Sequence, residues 1–182
     1  AIVPSGFPFL DLLPADRDLV GVEVEFVGLE QWERVLGSRL ATVVERYDFI
    51  LIDCPPSLGH LTILALVAAT GVLVPLQCEY FALEGVSELL STIRRVTSAL
   101  NPTLALAGIV LTMYDDRMKL TRDVEREVRE HFPGKVFEAV VPRNVRLAEA
   151  PSHGLSILQY DIKSRGAEAY LAVARERLRR SR

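Results

Sequence analysis

The chain has 182 residues and a formal net charge of −3, with 49% hydrophobic and 25% charged residues. This balance is typical of one soluble globular domain with a substantial core. Cys54 and Cys78 have no second cysteine or histidine at metal-ligand spacing, which argues against a structural zinc site and a disulfide scaffold. We therefore expect a protein of the reducing cytoplasm.

The charge is unevenly distributed along the chain. Residues 1–114 hold 6 basic and 13 acidic side chains, whereas residues 115–182 hold 15 basic and 11 acidic ones. A surface that binds a polyanion would give the second part this positive charge, and so would a solvated helix face. Charge alone leaves both interpretations open.

The first half of the chain predicts an edge strand at residues 7–13 and a helix at residues 30–45. The apolar run at residues 61–76 is almost long enough to cross a membrane. Gly71 and Pro75 interrupt this run, which favours a buried helix followed by a buried strand.

Short apolar runs along the whole chain predict five strands, at residues 49–53, 71–77, 105–113, 136–141 and 155–158. Helical patterns occupy residues 86–100, a segment capped by Thr121, and residues 167–178. Continuous apolar strands are expected where helices cover both faces of a parallel sheet. The alternation therefore predicts a doubly wound, mostly parallel α/β sheet within a single domain.

The predicted strand at residues 49–53 ends in an acid, Asp53, and a Pro-Pro pair follows Cys54. This is a Walker B arrangement. Ligands bind beyond the carboxyl ends of strands in open α/β sheets, so Asp53 is the candidate that holds hydrated magnesium beside a nucleotide. The alternative is that Asp53 is a turn residue or caps the helix that follows residue 56.

Five longer motifs carry a resemblance to a known family. They are residues 53–57 (DCPPS), 74–85 (VPLQCEYFALEG), 111–115 (LTMYD), 141–154 (VPRNVRLAEAPSHG) and 160–170 (YDIKSRGAEAY). In order and spacing they resemble the ParA/Soj chromosome-partitioning ATPases, which have a P-loop NTPase fold and a deviant Walker A motif. The resemblance implies an ATP hydrolase that uses magnesium, forms a homodimer when ATP is bound, and binds DNA without sequence preference. It also implies stimulation by a ParB-like partner and a cytoplasmic, nucleoid-associated location without a membrane.

The resemblance further implies where the nucleotide base lies. The matching positions are Thr112, Met113, Pro142, Arg143, Asn144 and Val145. The apolar side chains of Met113 and Pro142 suit the flat faces of adenine, while main-chain groups read its edge. The alternative is that Met113 only ends a core strand.

Two arginines, Arg117 and Arg146, match positions at which the family contacts DNA. A guanidinium group suits this role because it stays charged and pairs with phosphate through two hydrogen bonds. The alternative is that each arginine pairs with a neighbouring acid, Arg117 with Asp115 or Asp116 and Arg146 with Glu149.

A phosphate-binding loop needs glycines followed by Gly-Lys-Ser/Thr at a helix start. None of the three lysines of the chain, Lys119, Lys135 and Lys163, lies in such a motif. We therefore expect the chain to be a partial domain, the C-terminal two-thirds of a ParA-like ATPase, whose first strand and P-loop lie upstream. Alternatives are a DNA- or partner-binding module without enzymatic activity, and a MinD-like site selector.

Overall fold

The computed structural model describes residues 2–26, 28–55, 57 and 59–181, and at residues 20, 23 and 24 it describes the backbone alone. Pro56, one of the two consecutive prolines, lies outside the described residues. The chain divides into two compact units, Ala1–Ala69 and Thr70–Arg182. Each unit is described by itself.

In its described residues, the first unit contains a short hairpin and three helices. Strands β1 (Val3–Pro4) and β2 (Asp11–Leu12) pair antiparallel, so the predicted edge strand is shorter than expected. The helices are α1 (Val22–Glu25), α2 (Val35–Leu40) and α3 (His60–Ala68), with 3₁₀ turns at Arg17–Gly21, Trp32–Arg34 and Val44–Arg46. The helix predicted at residues 30–45 is therefore broken into three pieces. The Trp32 ring packs edge-on against His60 of α3, with ring centroids 4.7 Å apart.

The strand predicted at residues 49–53 is wrong, because these residues have no regular secondary structure. A strand is stable only where a neighbouring strand completes its ladder of hydrogen bonds. No strand among the described residues pairs with this segment, and Leu51 is 91% exposed. Among the residues that the structure describes, no helix is both long and apolar enough to cross a membrane.

The second unit is built on two parallel strands, β3 (Gly71–Gln77) and β4 (Ala105–Thr112), which run in register from Gly71–Ala105 to Gln77–Thr112 with one irregularity after Val72. Both strands were predicted. The 18-residue helix α4 (Ala82–Ala99) connects them, as the apolar spacing predicted. Two consecutive parallel strands need such a crossover connection, because a two-residue hairpin can join only antiparallel strands.

Helices cover both faces of β4. Ile109 and Leu111 are completely buried against a cluster that includes Val86 of α4 and Val128 of α5 (Lys119–His131). Val110 points to the opposite face, where it packs with Phe137, Val141, Leu147 and Val173. Successive side chains of a strand point to opposite faces, so this division confirms the predicted α/β fold with helices on both sides.

The segment predicted as a strand at residues 136–141 is hydrogen-bonded to β4 but is not a continuous strand. The Phe137 N–H donates to the Ile109 carbonyl at 2.8 Å, and the Val141 N–H donates to the Leu111 carbonyl at 2.8 Å. Between these contacts the N–H groups of Glu138 and Ala139 donate to the carboxylate of Glu176. A side chain therefore takes the place of a strand partner.

Two further predictions in this unit are wrong. Thr121 does not cap α5, which begins at Lys119; Thr121 lies inside the helix and is buried. Residues 155–158 do not form a strand, because Ser156 and Gln159 form a capping box that starts the short helix α7 (Ile157–Tyr160), after α6 (Val145–Glu149). The final helix is confirmed as α8 (Arg165–Arg180).

A clamp at the end of α8 fixes the segment beside β4. Arg180 donates to the carbonyls of Gly134 and Val136 at 3.0 and 2.9 Å, and its guanidinium lies 4.4 Å from the Phe137 ring centroid. Arg180 also donates to Glu176, which is only 4% exposed. Burial acts to raise the pKa of Glu176, but the two backbone donors and Arg180 lower it below its usual value. The carboxylate therefore stays charged in the folded protein.

We expect Glu176→Ala to lower the free energy of unfolding by about 2–4 kcal/mol, because the substitution leaves two backbone donors and a guanidinium without their shared acceptor. Urea denaturation followed by circular dichroism measures this change. Glu168→Ala, at an exposed position of the same helix, is the control and should cost less than about 1 kcal/mol. Equal effects of the two substitutions would contradict the clamp.

Candidate functional site

The carboxyl end of β4 turns sharply at Met113. The strand ends at Thr112, and Met113 adopts a left-handed backbone conformation with φ of 51°. An unbranched side chain adopts this conformation only at a cost, and such residues cluster at functional sites. The turn leaves Met113 39% exposed at the edge of the sheet.

Backbone hydrogen bonds of Tyr114, the residue after Met113, hold the turn in place. The Tyr114 N–H donates to the Val141 carbonyl at 3.1 Å, and the Arg143 N–H donates to the Tyr114 carbonyl at 3.1 Å. Tyr114 and Pro142 thereby form a parallel bridge. The structure brings six of the predicted residues to one edge, which we call the β4 edge: Thr112, Met113, Pro142, Arg143, Asn144 and Val145.

Side-chain contacts from α5 anchor the β4 edge. The Tyr114 hydroxyl donates to Glu125, and this contact is the main reason that the pKa of Tyr114 is raised to about 12. Arg129 donates to Glu125 at 2.9 Å and to the Phe137 carbonyl at 3.1 Å. Sequence reasoning missed this anchor, although the spacing of Glu125 and Arg129, four residues apart on a helix, was a signal for their ion pair.

The outer part of the β4 edge is formed by the start of α6. The Asn144 side chain accepts a hydrogen bond from the Arg146 N–H at 2.9 Å and so caps the helix. Val145 begins the helix and is 71% exposed, while Pro142 is half-buried. Exposed apolar side chains beside main-chain polar groups are suited to a flat heteroaromatic ring.

Arg117 forms an ion pair with Asp115, one of the two acids that the sequence offered. The Arg117 Nε and Nη2 atoms donate to the two carboxylate oxygens at 2.9 and 2.7 Å. These hydrogen bonds, followed by one from the Arg117 backbone N–H, lower the pKa of Asp115 to about 2, and the charge of Arg143 acts in the same direction.

Arg146 is also paired with acids. Its Nη1 atom lies 3.0 Å from Glu149, and its Nε atom lies 3.7 Å from Asp161. The Tyr160 hydroxyl donates to the same Glu149 oxygen at 3.2 Å. The side chain of Arg146 is 54% exposed. Each of the two candidate arginines is therefore paired with an acid and also exposed to solvent.

Asp53 lies in the first unit and is exposed. Helix α3 begins at His60 and its N-cap is Gly59, so the alternative that Asp53 caps the next helix is wrong. Among the described residues, no group of three or more His, Cys, Asp or Glu side chains could hold a metal. A carboxylate oxygen is the ligand type that magnesium prefers, and the assignment of Asp53 to magnesium stays a prediction.

A family model described as an AAA domain matches residues 1–106. The chain is 52% identical to the chromosome partitioning protein ParA of Myxococcus xanthus, covering 97% of this chain and 62% of the relative. It is 50% identical to the protein of the same name from Caulobacter vibrioides, covering 100% of this chain and 69% of the relative. It is 52% identical to the sporulation initiation inhibitor protein Soj of Bacillus subtilis, covering 92% of this chain and 66% of the relative.

The chain spans 62–65% of the length of the first curated relatives that it matches. Among solved structures it is similar to cobyrinic acid a,c-diamide synthase of Mycobacterium smegmatis, with a TM-score of 0.79, 38% identity, and coverage of 94% of this chain and 63% of that one. It is also similar to the cell division ATPase MinD of Pyrococcus furiosus, with a TM-score of 0.75, 23% identity, and coverage of 98% and 69%. The likeness to MinD shows the fold alone.

Proposed function

We propose, since the chain belongs to the ParA/Soj family of chromosome-partitioning ATPases, that it supplies the base-binding edge and the DNA-binding face of an ATP-dependent partitioning protein. The observation that carries the proposal is the left-handed turn at Met113, held by hydrogen bonds to residues 141–143. This turn gathers the residues that match the family's base-binding segments. The ParA relatives of Myxococcus xanthus and Caulobacter vibrioides are 52% and 50% identical, compared with 38% for the diamide synthase.

The proposed nucleotide is ATP with magnesium. Solved structures of the Mycobacterium smegmatis synthase contain ADP with magnesium and an ATP analogue with magnesium. In this chain Met113 and Pro142 would contact the faces of adenine, main-chain groups of residues 142–145 would read its edge, and Asp53 would hold the hydrated ion. Magnesium, when bound, neutralises charge on the phosphates.

The proposed DNA-binding face contains Arg117 and Arg146, with the exposed cations Lys119, Arg122 and Arg143 beside them in the sequence. Arginine forks fit phosphate oxygens, and phosphate contacts position a protein without reading sequence. ATP-dependent homodimerisation would double the number of these contacts. A ParB-like partner that stimulates hydrolysis and a nucleoid-associated cytoplasmic location complete the proposal and rest on the family.

We expect Arg117→Ala and Arg146→Ala each to weaken DNA binding of the complete gene product roughly tenfold, because each loses a charged hydrogen bond to phosphate. The slope of log affinity against log salt should fall by about one unit per site. DNA binding with ATP and magnesium is measured at several salt concentrations, together with ATP-dependent dimerisation.

Arg94→Ala is the matched control for this experiment. Arg94 is exposed on α4, which leads away from the carboxyl end of β3 and therefore away from the candidate face. If either candidate substitution leaves DNA affinity and salt slope at the level of Arg94→Ala while dimerisation persists, the DNA-binding assignment of that arginine is wrong.

The 182-residue chain on its own should hydrolyse no ATP above background. Its sequence contains no Gly-Lys-Ser/Thr loop, and the cradle of backbone N–H groups and lysine supplies much of the electrostatic stabilisation in phosphoryl transfer. Phosphate release by the purified chain, with Asp53→Ala as the control variant, tests this expectation. Magnesium-dependent turnover that Asp53→Ala abolishes would refute it.

A further inference from the structure

The contact between Asp115 and Arg117 fixes the orientation of the guanidinium group. Oδ1 of Asp115 accepts from Nε of Arg117 at 2.9 Å, Oδ2 accepts from Nη2 at 2.7 Å, and Oδ1 also accepts from the Arg117 backbone N–H at 3.1 Å. Two parallel hydrogen bonds fix the rotation of a planar group, which a single bond leaves free. The Asp115 side chain is only 16% exposed, whereas that of Arg117 is 86% exposed.

The contact occupies one edge of the guanidinium and leaves another edge open. A guanidinium has five N–H donors, and Asp115 uses the edge formed by Nε and Nη2. In the part of the chain that the structure describes, Asp115 is the hydrogen-bond partner of the Arg117 side chain. The edge formed by Nη1 and the second Nη2 hydrogen therefore remains available for a phosphate with two acceptor oxygens.

We propose that Asp115 is a positioning residue that holds the Arg117 guanidinium with this open edge directed toward a phosphodiester of bound DNA. The proposal rests on the DNA-binding function proposed above and adds a residue to it. Asp115 is well placed for this role, because Tyr114 immediately before it is fixed by the bridge to Pro142 and by the hydrogen bond to Glu125. The acid thus lies on a rigid part of the sheet edge.

Two opposing effects of Asp115 on DNA affinity can be compared. Ordering a long side chain at an interface weakens affinity by roughly twofold to tenfold, a cost that an already ordered arginine avoids. Repulsion between the carboxylate and a phosphate about one guanidinium width away weakens affinity by about twofold at the dielectric of bulk water and by several-fold at the lower dielectric of a protein surface. A comparison with Asp116→Asn, which also removes one negative charge beside Arg117, separates the orienting effect from this repulsion.

Arg146 does not share this arrangement. Glu149 contacts its Nη1 atom and Asp161 lies near its Nε atom, so acids approach the guanidinium from both ends. The proposal concerns Arg117 alone.

The test compares Asp115→Asn with Asp116→Asn in the complete gene product. Both substitutions remove one negative charge next to Arg117, but only Asp115 forms the two-point contact. Asn keeps an oxygen that can accept from the Arg117 backbone N–H, so the local turn is preserved. Each substitution is also made in the Arg117→Ala background, and DNA affinity with ATP and magnesium is measured together with ATP-dependent dimerisation and thermal stability.

The proposal predicts that Asp115→Asn binds DNA about threefold to tenfold more weakly than Asp116→Asn, with dimerisation and thermal stability unchanged. In the Arg117→Ala background the two variants should bind equally within about twofold, because coupling between contacting residues disappears when one partner is removed. A structural role of Asp115 in the turn would not depend on the arginine.

Two results would overturn the positioning role while leaving the DNA face intact. Asp115→Asn could bind DNA as tightly as Asp116→Asn or more tightly, which would make Asp115 a competitor of phosphate. Its loss of affinity could also persist in the Arg117→Ala background, which would assign the effect to the turn. If Arg117→Ala itself leaves DNA affinity unchanged, the proposed DNA contact of Arg117 fails, and the positioning role fails with it.

Discussion

The second unit depends on β4, whose backbone is hydrogen-bonded along both of its edges. On one edge it pairs in parallel with β3, and on the other it binds residues 135–141. Its side chains alternate between two covered faces, with Ile109 and Leu111 on one and Val110 on the other. A strand with hydrogen-bond partners on both edges and covered side chains on both faces is held by the whole unit, which fixes the place where it ends.

The candidate site follows from how β4 ends. Met113 turns out of the strand, and the chain returns at once to pair with Pro142. Behind this edge Phe137 packs directly against the backbone of β4, because a Cβ on Gly108 would overlap the Phe137 ring. Phe137 is in turn covered by the guanidinium of Arg180. Helix α8 therefore helps to hold residues 134–137, the segment that leads to Pro142 of the β4 edge.

The sequence predicted the elements whose signal is long and periodic. Strands β3 and β4 and helices α4 and α8 were recovered because their apolar positions repeat over seven or more residues. An apolar run alone does not reveal whether a partner strand lies beside it, which is why residues 49–53 and 155–158 were misassigned. At residues 155–158 the Ser156–Gln159 pair has the spacing of a capping box, a local signal for a helix start that an apolar pattern does not show.

The candidate site was predictable to a different degree at each residue. The acids that pair with Arg117 and Arg146 could be named beforehand, because Asp115 and Glu149 lie two and three residues away. The contacts of Tyr114 with Glu125, and of Glu176 with residues 138–139, join distant parts of the chain. Local periodicity carries no information about such tertiary contacts, and the left-handed conformation of Met113 is equally invisible to it.

Photoaffinity labelling of the complete gene product with an azido-adenine analogue of ATP and magnesium tests most directly whether the β4 edge binds a nucleotide base. Peptide mapping after irradiation should locate the label in residues 112–114 or 142–145, and excess ATP should prevent the labelling. Two shallow depressions, one on α5 and one beside α8, are not lined by residues of the β4 edge and act as internal controls. ATP-sensitive labelling confined to residues outside the β4 edge would contradict the account.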